Sequence, residues 1–485
     1  MLIRHTLLYL PAQIGGPFLQ FLITILWTYW LVPGQYGVLA AIIAAQELAY
    51  ILCLFWWSSS ALRYSQDIIA QHGQSKFQGM DNSILLFTSI LQIILAPVLF
   101  AIGGQQINPA LMLSCSLFMI SRGIISHLSE RTRASSQILI YTHLQVSAPI
   151  ISLILAYVLI SYYGPSIHII LSAFAFAQSL VVIICWYWLS LGTSFAYPDK
   201  AIFVQAAKFG LPLTLGGIFG WFSLNSIRLI VGALYGSDQL GLLSVGWGLG
   251  QRFASVAAML VTAASFPLAV ARMNLSNKQA SLHQMSSGGM LLFSLLCPAT
   301  AGIYLITPSL VHLAIAEPFR SVTLIVLPLA MLASAARNFR VHYPDQSLML
   351  LEVTSLAIGV NLAEAIITLA FSFVGALSNG PIGAVYGCVW GSLIGCLIGF
   401  LVPVLLHGLP IFWKDFFKIT LATLIMSASL VFADPFLEGD NLFLRISFEF
   451  IFSVSSYSLS ILCLYYREAH LLLNSLSQSD ARLAS

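Results

Sequence analysis

Along almost the whole chain, apolar runs of about twenty residues alternate with short polar breaks, a period set by helical spans of a bilayer core roughly 30 Å thick. Stretches such as Ile150 to Ile160 are apolar on every side. The strict polar/apolar alternation of a lipid-embedded barrel strand is missing from them. The pattern therefore predicts an all-α integral membrane protein of about 14 transmembrane helices. The first predicted spans run from Leu7 to Leu31 and from Gly37 to Trp57, and the last two are Phe416 to Phe432 and Leu442 to Tyr466. The amino-terminal run is too long for a signal peptide and is followed by no small-residue cleavage pattern, so it is expected to remain as the first span.

An internal repeat organises these spans. Leu10-Pro11-Ala12-Gln13-Ile14-Gly15-Gly16-Pro17-Phe18 in the first span and Leu211-Pro212-Leu213-Thr214-Leu215-Gly216-Gly217-Ile218-Phe219 in the seventh both read L-P-x-x-x-G-G-x-F. Past the following turn, Gln35-Tyr36-Gly37-Val38-Leu39 faces Gln239-Leu240-Gly241-Leu242-Leu243 in the same relative place. An even number of spans separates the copies, so the halves point the same way across the bilayer, related by an axis along its normal. The expected organisation is a six-helix bundle over 1–200, a second over 201–408, and two further helices with a cytoplasmic tail over 409–485.

Composition removes whole function classes. With 59% apolar and 8% charged residues there is no room for a soluble catalytic domain, and membrane lipids must be the solvent. A net charge of +3 gives no support for nucleic-acid binding; in a membrane protein the placement of Lys and Arg matters, and their sum does not. Arg4, Arg63, Lys76, Arg122, Arg131, Arg133, Lys200, Arg272, Arg337, Arg340, Arg467 and Arg482 all fall on the side shared by the two termini. The opposite loops, Val32 to Tyr36 and Tyr163 to Ser166 among them, are nearly free of basic residues, which marks the first side as cytoplasmic. The seven cysteines lie in apolar runs without C-x-x-C spacing and read as small core hydrophobes.

The candidate chemistry is intramembrane. Gly15, Gly16, Pro17 and Gly216, Gly217 occupy corresponding places in the two halves, where they either interrupt a helix at a central site or allow helices to pack closely. A charge in hydrocarbon costs roughly 2.5–3.5 kcal/mol on insertion scales, so intramembrane ionisable residues point to function. Arg252 lies too deep in its span to snorkel and is expected to face a hydrated cavity; Arg228 could either line that cavity or reach the interface. Trp221 shares a helical face with Arg228, and Arg252, Arg228, Trp221 and Asn225 form the candidate substrate-binding set. A guanidinium fork in such a cavity suits phosphate oxygens. Glu364 is a candidate counter-ion, proton carrier or buried partner of an arginine, and Glu47 a candidate cavity charge or the partner of a neighbouring helix. Most tryptophans, Trp27, Trp30, Trp56 and Trp57 included, sit at span ends and read as an interfacial belt. No G-x-S-x-G, H-E-x-x-H or phosphate-loop pattern occurs, so no catalytic residue and no metal ligand is assigned.

Three stretches together resemble the polysaccharide-transport family of lipid-linked oligosaccharide flippases, the O-antigen (Wzx-type) translocases of the multidrug/oligosaccharidyl-lipid/polysaccharide (MOP) exporter superfamily. They are Val32-Pro33-Gly34-Gln35-Tyr36-Gly37, Phe209-Gly210-Leu211-Pro212 through Gly241-Leu242-Leu243-Ser244-Val245, and Pro381-Ile382-Gly383-Ala384-Val385-Tyr386-Gly387 with Asn361 before it. The resemblance implies two bundles rocking around a cationic cavity. It also implies an undecaprenyl-pyrophosphate-linked oligosaccharide carried across a bacterial inner membrane for surface polysaccharide such as O-antigen, lipopolysaccharide or exopolysaccharide. Polysaccharide polymerase machinery is an implied partner; no cofactor is implied, and coupling to protons or sodium stays open. Two departures stand out: Gly34 and Gln35 occupy a turn where the family often has an acidic residue, and Ile227 stands where an Asp often precedes the arginine, which favours a free cationic role for Arg228. The rival readings are a cation-coupled drug exporter or lipid II flippase of the same superfamily, and, from another class, a membrane glycan polymerase or glycosyltransferase. The polymerase reading is disfavoured because the outer loop Val32 to Tyr36 holds neither Asp nor Glu.

Overall fold

The computed structural model of the chain describes residues 2–102, 108–274, 277–433, 435 and 441–466, with side chains from residue 15 onward apart from those of 98–102, 260, 262–264, 267 and 274. Arg4, Arg467, Arg482 and the predicted cytoplasmic tail are thereby outside the described side chains and residues. The helices in chain order are α1 (Leu2–Trp30), α2 (Pro33–Tyr50), a π-helical turn (Ile51–Phe55), α3 (Trp56–His72), α4 (Gln74–Ile102), α5 (Pro109–Ala134), α6 (Ile138–Tyr163) and α7 (Ile167–Trp188). They continue with α8 (Lys200–Asn274), α9 (Lys278–Ala314), α10 (Glu317–His342), α11 (Pro344–Leu350), α12 (Thr354–His407), α13 (Trp413–Ala433) and α14 (Leu442–Leu464). Among the described residues, eleven helices are long and apolar enough to cross a membrane, the continuous Pro33–His72 rod counted once.

Turn chemistry explains where the rods begin. Pro33 and Pro109 occupy the first helical turn, where a missing N–H is harmless. Asn108, Asn277 and Asn441 accept backbone N–H groups of the helices that follow them, satisfying donors that have no partner inside the helix. Two of the long helices are hairpins. In α8, Gly236 adopts φ 78°, and in α12 Gly380 adopts φ 65°, a backbone region that favours glycine. The arms on either side then pack: Trp247 Nε1 donates to the Leu224 carbonyl at 3.3 Å, and Ser372 Oγ donates to the Ala384 carbonyl at 3.1 Å.

The helix-break expectation for Gly15, Gly16, Pro17, Gly216 and Gly217 is corrected: α1 and the first arm of α8 run through these positions as regular helix. The close-packing alternative describes Gly15, Gly16 and Gly217, whereas a Cβ on Gly216 would meet only Ile358 at 4.0 Å. A Cβ on Gly217 would meet Ile51 and Phe55, and one on Gly15 would meet Val146 at 3.3 Å. The irregularity lies opposite, in the π-helical turn Ile51–Phe55 that faces Gly217.

The first arm of α8 lies along α2 and α3. Ser60 Oγ donates to the Ala206 carbonyl at 2.9 Å, a Cβ on Gly210 would run into the Trp56 backbone, and Trp221 Nε1 donates to the Ala44 carbonyl at 3.0 Å. Beyond Gly236 the contact becomes reciprocal: a side chain on Gly37 would collide with the Ser237 carbonyl, and one on Gly241 with the Pro33 carbonyl. Gly37 and Gly241 are equivalent in the sequence repeat, and mutual contact of equivalent residues is what a two-fold relation between the halves produces. Helices α13 and α14 pack on each other and against α9.

Candidate functional site

A cavity of about 590 Å³ lies among α1, α2, α5, α6, α7, both arms of α8, α10 and the first arm of α12, and it reaches down to Asp345, Met349 and Ala357. A second, of about 300 Å³, continues toward the end of the molecule where α1 passes into α2. Gln20, Trp27, Ile43, Glu47, Leu224 and Arg252 line both, so the two form one tapering chamber with Arg252 at the junction. At its narrow end the chamber meets an aromatic plug. Trp27 packs edge-on against Tyr36 at 6.4 Å between ring centroids, and Tyr36 against Phe319 at 5.5 Å. The Gly37–Gly241 contact lies at the same end.

Arginines from several helices reach this chamber. Arg122, Arg252 and Arg337 line the larger cavity and Arg228 the smaller. Among the described residues, the guanidinium groups of Arg122 and Arg252 make no hydrogen bond or ion pair. Glu47, exposed to the chamber, acts on both charges only at longer range. Gly248, one turn before Arg252, leaves room for it: a Cβ there would lie 3.2 Å from its Nη1. Arg228 faces the chamber and not the interface. Its Nη1 donates to Asn225 Oδ1 at 2.6 Å, while its Nε is buried without a partner. The free cationic role suggested by Ile227 is thus qualified by Asn225, one turn earlier, whose amide oxygen occupies the place of an acidic partner.

The remaining candidates separate. Trp221 is buried in the wall of the larger cavity while Arg228 serves the smaller, so the two do not share one wall. Glu364 is completely buried and its Oε2 accepts from Arg337 Nη1 at 2.6 Å and Arg340 Nη2 at 2.7 Å, the arrangement expected of a buried arginine partner. The glycines Gly216 and Gly217 line the larger cavity, and Pro17 the smaller.

Arg122 and Arg337 are the residues that sequence reasoning missed, having been counted as markers of the basic side. Arg122 sits midway along α5 on the face carrying Phe118 and Ser126, both cavity-lining at one-turn spacing. That i, i+4, i+8 register within an apolar run was the available signal. Trp27 and Trp57 are likewise interior and not belt residues, Trp27 in both cavity walls and Trp57 bonded to a buried carboxylate.

The same architecture occurs in solved transport proteins. A structure titled as the lipid II flippase MurJ in an inward closed conformation superposes with TM-score 0.75 at 14% identity, covering 96% of this chain and 100% of that one. The inward-facing structure of a multidrug resistance MATE family transporter of the MOP superfamily superposes with TM-score 0.57 at 14% identity, covering 82% and 94%. The MATE multidrug transporter DinF-BH gives 0.58 at 15% identity, covering 84% and 96%. At these identities the likeness establishes a common fold. No curated protein matches the chain in sequence. The sequence profile described as "Polysaccharide biosynthesis protein" matches residues 30–324, well over half of the chain and most of the chamber wall, and the chain belongs to that family.

Proposed function

We propose that the protein flips an undecaprenyl-pyrophosphate-linked oligosaccharide across the inner membrane by alternating access, for surface polysaccharide biosynthesis. The observation that carries this reading is the pair of unpartnered arginines, Arg122 and Arg252, projecting into one chamber from the two halves of the chain. An arginine inside a membrane protein without a counter-ion needs water or an anionic ligand beside it. Guanidinium forks match phosphate oxygens and keep their charge at any physiological pH. Gln20, Gln46, Gln178 and Asn361 add amide donors and acceptors suited to sugar hydroxyls. The excess of arginine over the single exposed Glu47 argues against organic cations as cargo.

A separate groove of about 990 Å³ lies on the other side of α10, lined by Leu296, Leu324, Leu329, Leu332, Phe339 and further apolar residues. Thr300, Thr423 and Ser427 each donate their hydroxyl to a carbonyl of their own helix, and the exposed rings of Tyr304 and Tyr386 complete the lining. Such a surface suits a prenyl chain while the charged headgroup occupies the chamber, with α10 between them. In this reading the basic side of the chain, toward which the larger cavity extends, faces the cytoplasm.

The test is complementation in a strain lacking the protein. Arg122→Gln and Arg252→Gln, each present at wild-type level, should lower surface glycan about tenfold or more, because a charge-assisted phosphate bond is worth about 1.5–3 kcal/mol. Lipid-linked intermediates should accumulate while sensitivity to organic cations stays unchanged. Normal surface glycan from the double variant would overturn the reading.

A further inference from the structure

Unlike Arg122 and Arg252, the third arginine of the larger cavity is already engaged. Arg337 Nη1 donates to Glu364 Oε2 at 2.6 Å, and that same oxygen accepts Arg340 Nη2 at 2.7 Å. The other carboxylate oxygen, Oε1, is buried and accepts nothing. The two arginines are not equivalent. Arg340 has no exposed surface, donates also to Asn361 Oδ1 at 2.9 Å, and forms an ion pair with Asp345 Oδ2 at 3.1 Å. Arg337 lines the cavity with 13% of its side chain exposed and bonds to Glu364 alone among the described residues. Gly220 lies against it on the α8 side, where a Cβ would come within 3.0 Å of Arg337 Nη2, so the absence of a side chain there makes room for the guanidinium.

This asymmetry makes Arg337 the replaceable donor. If it turned away, Glu364 would keep Arg340 and no buried charge would be abandoned, whereas withdrawing Arg340 would strand Asp345 in the wall. Resting on the anionic-headgroup reading above, we propose that Arg337 is an exchangeable ligand of the chamber. Glu364 holds it while the chamber is empty, and it passes to the phosphate oxygens when substrate enters. Glu364 is then an internal competitor for the ligand's own donor, which keeps the empty chamber from carrying three unpaired guanidinium groups. The exchange also breaks the Arg337–Glu364 link between α10 and α12, so ligand entry loosens a contact inside the second half of the molecule. A ligand changes a conformational balance only through such differential contacts.

The experiment is calorimetric titration of the purified full-length protein with inorganic pyrophosphate. Glu364→Gln should bind about tenfold more tightly and Arg337→Gln about tenfold more weakly, the weight of one charge-assisted bond. The double variant should bind no better than Arg337→Gln, because the gain on losing Glu364 needs Arg337 to be present. An unchanged affinity in Glu364→Gln, or a gain that persists without Arg337, overturns the exchange. Pyrophosphate binding by Arg252→Gln equal to wild type overturns instead the anionic-chamber reading on which it rests. Should Glu364→Gln not fold, Arg337→Gln decides alone, since its loss leaves Glu364 with Arg340. A residue that only ties α10 to α12 would lower the melting temperature and leave pyrophosphate affinity unchanged, which also overturns the exchange.

Discussion

Asp81 shows how a single carboxylate organises one side of the molecule. It is wholly buried, and its Oδ1 accepts Trp57 Nε1 at 2.7 Å and lies 2.9 Å from His127 Nε2, while its Oδ2 accepts Arg131 Nη1 at 2.6 Å. His127 passes the network on to Ser58, 3.0 Å from its Nδ1. Helices α3, α4 and α5 are thereby joined through one charge. Replacing it by Asp81→Asn leaves Arg131 buried without a counter-charge, and breaking such a pair costs about 3–5 kcal/mol. The expected outcome is a clearly lowered melting temperature of the purified protein, with pyrophosphate affinity of the surviving folded fraction unchanged; an unchanged melting temperature counts against the network's structural role. None of this was legible in the sequence, because pairing across helices depends on which faces meet. Trp57 reads there as an end-of-span aromatic, and only the fold shows that its indole N–H points at a carboxylate. Arg252 was legible for the opposite reason: its depth within an apolar run excludes any lipid-facing solution, whatever the packing.

At the scale of elements, hydropathy located the rods but not their ends. The second span is expected to end near Trp57, yet helix continues to His72, where Gly73 at φ 87° stops it. An apolar run marks where lipid ends, and a helix continues until its hydrogen bonds are capped. The paired glycines were legible as a repeat, and their consequence was legible only in part. Gly217 packs against the π-helical turn where a break was one expectation, whereas Gly37 and Gly241 let two backbones touch at the narrow end of the chamber. If the halves separate there when substrate leaves, a side chain at this contact should hold them apart. Gly241→Val is expected to raise the labelling of Ser244→Cys, a buried position lining the smaller cavity, by a membrane-impermeant maleimide in intact cells. Labelling no greater than in the Ser244→Cys protein with Gly241 intact would show that this contact is not the outer seal.

For the whole molecule, the direction of the proposed transport would follow from which compartment each end of the tapering chamber faces. The larger cavity extends toward the end that carries the linker between α7 and α8, and the aromatic plug closes the other. Basic residues remain concentrated at the linker end even after Arg122 and Arg337 are moved from that tally into the chamber wall: Arg63, Lys76, Arg133, Lys200 and Lys208 lie there, with Lys76 paired to Asp199 at 2.9 Å. In the proposed function, the excess of Lys and Arg assigns that end to the cytoplasm, the side from which a lipid-linked precursor would be taken up. Two exposed tyrosines test this: Tyr197 in the linker and Tyr163 at the far end of α6. With the seven native cysteines replaced, Tyr163→Cys should react with a membrane-impermeant maleimide in intact spheroplasts, and Tyr197→Cys only after permeabilisation. The reverse pattern would turn the chamber toward the periplasm. The arginines would then await an anion from outside the cell, and export of a cytoplasmic precursor would no longer follow from the shape of the molecule.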